Sequence, residues 1–246
     1  MNPKKVAIVT GASRGIGATL AQRLARDGFA VIVNYAGNAD AAATVVQAIE
    51  AAGGMAATVQ ADVAVPLEAK QLFDEALRRY GRVDALVNNA GIMPPQMPTL
   101  ADTDDATFDR LIAVNLKGTF NTLREAATRL ENGGRIVNFS TSLVGTALPG
   151  YTVYTATKAG VELMTNILAK ELRGKNITVN AVAPGPTATE LFLNGKSPEL
   201  VERLAKMNPL ERLGTPEDIA GAVSFLLGPD GGWINGQVLR ANGGMV

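Results

Sequence analysis

Short runs of uninterrupted apolar residues, Val6-Ala7-Ile8-Val9 and Ala30-Val31-Ile32-Val33 first among them, alternate along this chain with longer amphipathic stretches. A strand with one wet face alternates apolar with polar residues, whereas a continuous apolar run suits a parallel strand buried on both faces. The pattern predicts strands at 6–10, 30–34, 56–60, 85–88, 135–139, 178–183 and 237–240. Helices are predicted at 15–27, 39–52, 67–80, 105–130, 151–173 and 216–227. Repeated strand–helix order implies right-handed crossovers. The expected fold is therefore α/β and Rossmann-type: a doubly wound, mainly parallel seven-stranded sheet with helices on both faces. No linker, internal repeat or low-complexity tract divides the 246 residues, a length that suits one large domain. Residues 1–246 read as that single domain, and the long segment 184–216, without a clear place in the sheet, reads as a lid near 186–215.

The chain has no histidine and no cysteine. That excludes Ser-His-Asp and Cys-His nucleophiles and the usual thiolate or imidazole zinc ligands, so no metal site is expected. Proton transfer falls to Tyr, Lys, Asp or Glu. In Tyr154-Thr155-Ala156-Thr157-Lys158 the two end residues share one face of a helix, about 6 Å apart at their roots. An ammonium at that distance favours the phenolate, lowering a tyrosine pKa from about 10 by roughly 1–3 units. The residues four after Tyr35, Tyr80 and Tyr151 are Ala39, Asp84 and Thr155, so no other tyrosine has this partner.

Thr10-Gly11-Ala12-Ser13-Arg14-Gly15-Ile16-Gly17 lies where the first strand turns into the first helix. Glycines let the backbone approach a diphosphate, and a helix N-terminus offers free N–H groups with partial positive charge. A carboxylate at the end of the second strand would hold the ribose hydroxyls of NAD. Here that strand ends in Asn34, Tyr35 and Ala36, and Arg14 sits inside the glycine turn. An arginine attracts a 2′-phosphate. NADP(H) is therefore expected to be preferred, with NAD(H) as the alternative.

Lys plus Arg and Asp plus Glu number 23 each, with no long single-sign run, so attraction to nucleic acid or an anionic membrane has no visible source. Absent cysteine fits a reducing compartment. The leading Met1-Asn2-Pro3-Lys4-Lys5 runs into an apolar stretch too short for a signal core, which makes the cytoplasm the expected location.

Further residues fall into place around these. Asp62-Val63 follows the third strand, Asn88-Asn89-Ala90-Gly91 the fourth, and Pro184-Gly185 the sixth; Asn115 lies in the long fifth helix and Asn235-Gly236-Gln237 near the end. In this order and at these distances the set, over the whole chain, resembles the short-chain dehydrogenase/reductase superfamily, in particular its 3-oxoacyl-carrier-protein reductases. The resemblance implies reversible hydride transfer between a nicotinamide coenzyme and a ketone or aldehyde. Asp62 and Val63 would contact adenine, and Asn88, Ala90 and Gly91 would line the dinucleotide groove together with Gly11, Ser13, Arg14, Gly15, Ile16 and Gly17. Tyr154 would exchange the hydroxyl proton. Lys158 would bind the nicotinamide ribose and lower the Tyr154 pKa. Asn115 would disturb its helix and hold a water that relays protons from Lys158. Pro184, Gly185, Thr187 and Thr189 would meet the nicotinamide. The family's active serine usually stands thirteen residues before the tyrosine, which is Thr141 here. Ser142-Leu143-Val144-Gly145 matches the family's Ser-x-x-Gly, so Ser142 is the expected hydroxyl and Thr141 its alternative.

Walls at 92–98, 143–151 and 191–207 contain Ile92, Met93, Leu143, Leu148, Tyr151, Leu191, Phe192 and Leu193, which suits an apolar small-molecule carbonyl or alcohol substrate. Lys196, Arg203 and Lys206 would suit an acidic acyl carrier, hence a 3-oxoacyl thioester. A polyol or sugar dehydrogenase is the alternative enzyme, and a catalytically silent dinucleotide sensor the alternative outside enzymes. Met97 and Met207 read as packing. Apolar faces on the helices at 105–130 and 151–173 imply a homodimer or homotetramer.

Overall fold

A computed structural model describes residues 4–94 and 98–246. Met97 and the leading Met1, Asn2 and Pro3 lie outside the described residues. The strands are β1 (Val6–Val9), β2 (Ala30–Tyr35), β3 (Met55–Gln60), β4 (Ala85–Asn88), β5 (Arg135–Phe139), β6 (Thr178–Pro184) and β7 (Val238–Ala241). They form one sheet in the order β3-β2-β1-β4-β5-β6-β7, and every pairing is parallel. The mainly parallel sheet of expectation is thus wholly parallel.

Alternate strand residues supply two separate cores. Ala7, Val9, Val31, Val33, Val87 and Val137 face one side, packing on Leu20 and Leu24 of α1 (Gly15–Arg26), Val45 and Ile49 of α2 (Ala39–Ala51), and Ile219, Val223 and Leu226 of α10 (Pro216–Leu227). Ile8, Ile32, Leu86 and Ile136 face the other side. There they meet Leu72 and Phe73 of α3 (Pro66–Tyr80), Leu123 of α5 (Gly118–Arg129) and the half-buried Met164 and Leu168 of α7 (Thr152–Glu171). Burial on both faces is why these strands carry no polar alternation.

Helix ends follow local chemistry. Thr215 and Asp218 form a reciprocal capping box at the start of α10, with Pro216 in the first turn. Asn38 accepts from Ala41 N at α2. No side chain caps α1, and its first turn holds no acid, so its N-terminal N–H groups stay available.

Two expectations change. The single helix at 105–130 is α4 (Asp105–Leu111), a π-helical stretch (Ile112–Lys117) centred near Asn115, and then α5. The segment 184–216 holds two short helices, α8 (Glu190–Leu193) and α9 (Pro198–Ala205), and 143–151 starts with another, α6 (Leu143–Thr146). Thr189 and Ser197 cap α8 and α9, and Pro198 opens α9, so the start signals were present in runs too short to show helical periodicity.

Candidate active site

The strand order reverses between β1 and β4, where connections leave toward opposite faces and open a crevice at the strand C-terminal ends. The glycine turn occupies that point. Gly11 (φ 61°) and Gly15 (φ 55°) take left-handed conformations. Gly17 packs on the Gly11 carbonyl and the Asn89 side chain, where a Cβ would collide. Asn89 fastens the turn by donating Nδ2 to Thr10 O (2.9 Å) and Gly11 O (3.0 Å). Asn34 holds its other side, accepting from Gly11 N (3.2 Å) and donating to Ala61 O (3.0 Å).

A cleft of about 490 Å³ runs over this turn. Gly11, Ser13, Arg14, Gly15, Ile16 and Gly17 line it, with Asn34 from β2, Ala36 just after it, Asp62 and Val63 after β3, Ala90 and Gly91 after β4, and Thr189. Two expected members are elsewhere. Tyr35 packs its ring against the core. Asn88 is buried in a polar chain, donating to Asn138 Oδ1 (2.9 Å) and accepting from the Thr122 hydroxyl (2.6 Å), while Asn138 donates to Thr165 (2.8 Å). Its carboxamide ties β4 to β5 and α5, and through Asn138 to α7. Sequence reasoning missed Asn38, Asn89, Arg110, Val114 and Glu190, which also line the cleft. Arg110 and Val114 come from a helix far away in sequence, and no local pattern marks them. Arg14 pairs with Glu190 (3.1 Å) across the mouth, both side chains about 70 % exposed.

A second cavity, about 170 Å³, continues from the cleft and shares Ile16, Asn89, Gly91, Ile92, Thr189 and Leu191 with it. Thr141, Ser142, Tyr154, Lys158, Pro184, Gly185, Thr187 and Thr189 all reach its wall. The apolar lining is Ile92, Met93, Leu143, Leu148, Leu191 and Phe192 as expected, joined by Leu204 and Met245. Leu193 and Met207 are instead 40 % exposed and outside it. Lys196 folds back on Phe192, donating to its carbonyl (2.6 Å) with Nζ 4.7 Å from the ring centroid.

Tyr154 and Lys158 stand one turn apart on α7, and both reach this cavity, but the electrostatics differ from expectation. Lys158 is buried (4 % exposed) and donates Nζ to Phe139 O at 2.9 Å. Burial pushes its pKa down to about 8. Burial also pushes the Tyr154 phenol up to about 12, a hydrogen bond with Thr141 opposing this and nearby Tyr151 adding to it. The expected depression of Tyr154 by Lys158 is therefore reversed. Desolvation outweighs an ammonium that is spent on a carbonyl.

The two upstream hydroxyls differ in their partners. Ser142 donates to Ala183 O (3.1 Å) and accepts from Asn242 Nδ2 (2.9 Å), so it is held in the scaffold. Thr141 stands with Tyr154 on the cavity wall, where it lowers the phenol pKa against the effect of burial, and it accepts from Leu143 N (3.3 Å). Asn115 does not line either cavity; it clasps Ile92, accepting from its N–H (2.8 Å) and donating to its carbonyl (2.9 Å). A Cβ on Gly91 would lie 3.3 Å from Asn115 Oδ1 and 3.5 Å from Lys158 Nζ, so both groups front one glycine.

A Rossmann-type sheet, an uncapped glycine turn and a tyrosine–lysine pair in a contiguous cavity define a dinucleotide-dependent oxidoreductase. A family model described as "Enoyl-(Acyl carrier protein) reductase" matches residues 11–246. A "Short-chain type dehydrogenase/reductase" of Picea abies is 50% identical over 98% of this chain and 92% of its own. "NADPH-dependent aldehyde reductase 2, chloroplastic" of Arabidopsis thaliana is 49% identical, covering 98% and 94%. Among solved structures, a short chain dehydrogenase from Burkholderia cenocepacia J2315 in complex with NADP superimposes with a TM-score of 0.92 at 37% identity, covering 98% of this chain and 97% of that one. The chain belongs to the short-chain dehydrogenase/reductase family.

Proposed function

We propose that this protein is an NADPH-dependent reductase of aldehydes and ketones. The observation that carries the reading is the single cavity holding Thr141, Tyr154 and Lys158, open directly into the glycine-turn cleft. The cleft fits a dinucleotide: an uncapped α1 without acidic residues would receive the diphosphate, and Gly91 leaves room where a Cβ would crowd Asn115 and Lys158. The names of the Arabidopsis relative and of the Burkholderia complex support NADP(H). Arg14 is held by Glu190 in an exposed ion pair worth about 0–1 kcal/mol, little enough for a 2′-phosphate to replace.

A bound nicotinamide supplies the hydride. Tyr154, protonated at neutral pH because burial holds its pKa near 12, gives its proton to the substrate oxygen as that oxygen gains charge. Thr141, and not Ser142, orients the carbonyl by hydrogen bonding. Lys158 would hold the nicotinamide ribose, while Asn115 positions Ile92 and Gly91 beside it. Thr187 lies near the carboxamide site. The apolar lining favours an uncharged substrate over a charged one.

Three inferences accompany this. Residues 186–215, carrying α8 and α9 over the cavity, form a substrate lid on a single domain. Exposed Leu163, Ile167 and Phe120 on one side, and Trp233, Phe225 and Leu239 on another, support association as a homodimer or homotetramer. No helix among the described residues is long and apolar enough to cross a membrane. The absence of cysteine supports the cytoplasm, and a fluorescent fusion found elsewhere would overturn that.

The test is coenzyme oxidation with butanal. NADPH is expected to serve more efficiently than NADH. Tyr154→Phe should lose roughly 10²–10⁴-fold in kcat while still binding NADPH. Thr141→Val should fall far below Ser142→Ala. A Tyr154→Phe enzyme of normal rate would end this reading, and the reverse order of the two hydroxyl variants would restore Ser142.

A further inference from the structure

The polar side chains on the wall of the 170 Å³ cavity are almost all committed. Ser140 donates to the Glu162 carboxylate (2.6 Å), Ser142 to Ala183 O and Thr187 to Gly185 O (2.9 Å). Thr189 caps Phe192 N (3.3 Å), and Asn89 holds the glycine turn. Lys158 points at Phe139 O, and Thr141 and Tyr154 are the two hydroxyls that the proposed reaction uses. Tyr151 differs. It lies half-buried on the same wall, and its hydroxyl has no hydrogen-bond partner among the described residues.

Tyr151 sits immediately before α7, three residues ahead of Tyr154, which is about one turn or ~5 Å along the axis. The two phenols are close enough for the charge of one to act on the other. An unpaired hydroxyl on a cavity wall costs free energy when a ligand without polar groups displaces its water, and gains when the ligand offers an oxygen. A phenol both donates and accepts, so either a carbonyl or a hydroxyl serves. Lys158 is the sole charged side chain on the described wall and is turned away, so a carboxylate would find no free cation. The volume is close to that of an engineered cavity of ~150 Å³ that holds one benzene, which limits the substrate to short arms.

We propose, building on the carbonyl-reductase reading above, that the Tyr151 hydroxyl binds a second substrate oxygen on the carbon next to the reacting carbonyl. The preferred substrates are then small uncharged α-dicarbonyl and α-hydroxycarbonyl compounds. In the reaction of a dione, hydride from NADPH bonds to one carbonyl carbon, the C=O π pair moves to oxygen, and Tyr154 supplies the proton there. The products are a hydroxyketone and NADP+, and Tyr151 stays bonded to the oxygen that does not react.

The experiment measures kcat and KM with NADPH for butane-2,3-dione, butanal and pyruvate, using the wild type and Tyr151→Phe. The wild type should favour the dione over both others. Tyr151→Phe should lose about 5-fold in kcat/KM on the dione, mainly through KM, and distinctly less on butanal. Equal losses on dione and butanal, no loss on either, or a wild type that prefers butanal or pyruvate would overturn the assignment. Butanal turnover by the variant also establishes that it is folded. A wild type that turns over none of the three would instead bring down the carbonyl-reductase reading itself.

Discussion

Lys158 carries the largest conflict between stability and use. A lysine whose folded pKa is lowered from 10.5 to about 8 binds fewer protons than it does in the unfolded chain. Its burial therefore costs stability at all pH below about 8, and the cost fades as pH rises toward 10.5. Replacement by a neutral side chain of similar length should relieve it. Lys158→Met is expected to raise Tm of the coenzyme-free protein by several degrees at pH 7, each kcal/mol being worth about 2–4 °C at this size. The gain should shrink between pH 8 and pH 10, while activity is lost. Thermal melts across that range check both signs, and a destabilised variant at pH 7 would refute the electrostatic account. Tyr154 shows the companion effect. The pairing visible in sequence implied an acidic phenol, yet burial of both partners makes a weak acid beside a weakly basic amine. A proton donor for reduction needs only to be protonated at neutral pH, and that condition is met.

Among elements, the π-helical stretch between α4 and α5 does the most for the site. A regular helix from 105 to 130 would satisfy its own backbone. The widened turn instead brings Asn115 to Ile92, where its carboxamide substitutes for a strand partner and holds the loop after β4 beside Lys158. Asn115→Leu leaves the Ile92 N–H and carbonyl without that partner, a cost of about 1–3 kcal/mol. The expected readouts are a Tm lower by several degrees and a kcat reduced with NADPH affinity, which rests on the glycine turn, little changed. Unaltered stability would mean that water replaces the carboxamide without penalty. The capping signals at α8 and α9 make the same point on a smaller scale: Thr189 and Ser197 start helices too short for periodicity to detect.

The whole molecule leaves two apolar surfaces uncovered. Leu163 (62 % exposed) and Ile167 lie four residues apart on α7, next to the helix bearing Phe120, and Trp233 (98 % exposed) stands beside the edge strand β7. A monomer that kept both faces in water would retain an unusually large apolar patch. Size-exclusion elution at two or four chain masses is expected, and Leu163→Glu should shift it toward smaller species by burying a charge in the contact. Elution of the wild type as a monomer would remove this inference.

How much was legible follows from where each constraint acts. The seven strands were legible nearly to the residue, the inner ones through continuous apolar runs, because burial on both faces leaves no room for polar alternation. The left-handed glycine turn, the placing of Tyr154 and Lys158 one helical turn apart and the unusual carboxamide of Asn115 in its helix were legible because each is a local feature. Asn88 and Ser142 carried equally suggestive positions, and only the folded chain assigned them to hydrogen-bond chains with Asn138 and Thr122 and with Asn242 and Ala183. The arrival of Arg110, Leu204 and Met245 at the cavities and the upward shift of Tyr154 depend on contacts between distant segments and on desolvation. Those are properties of packing, and no spacing along the chain encodes them.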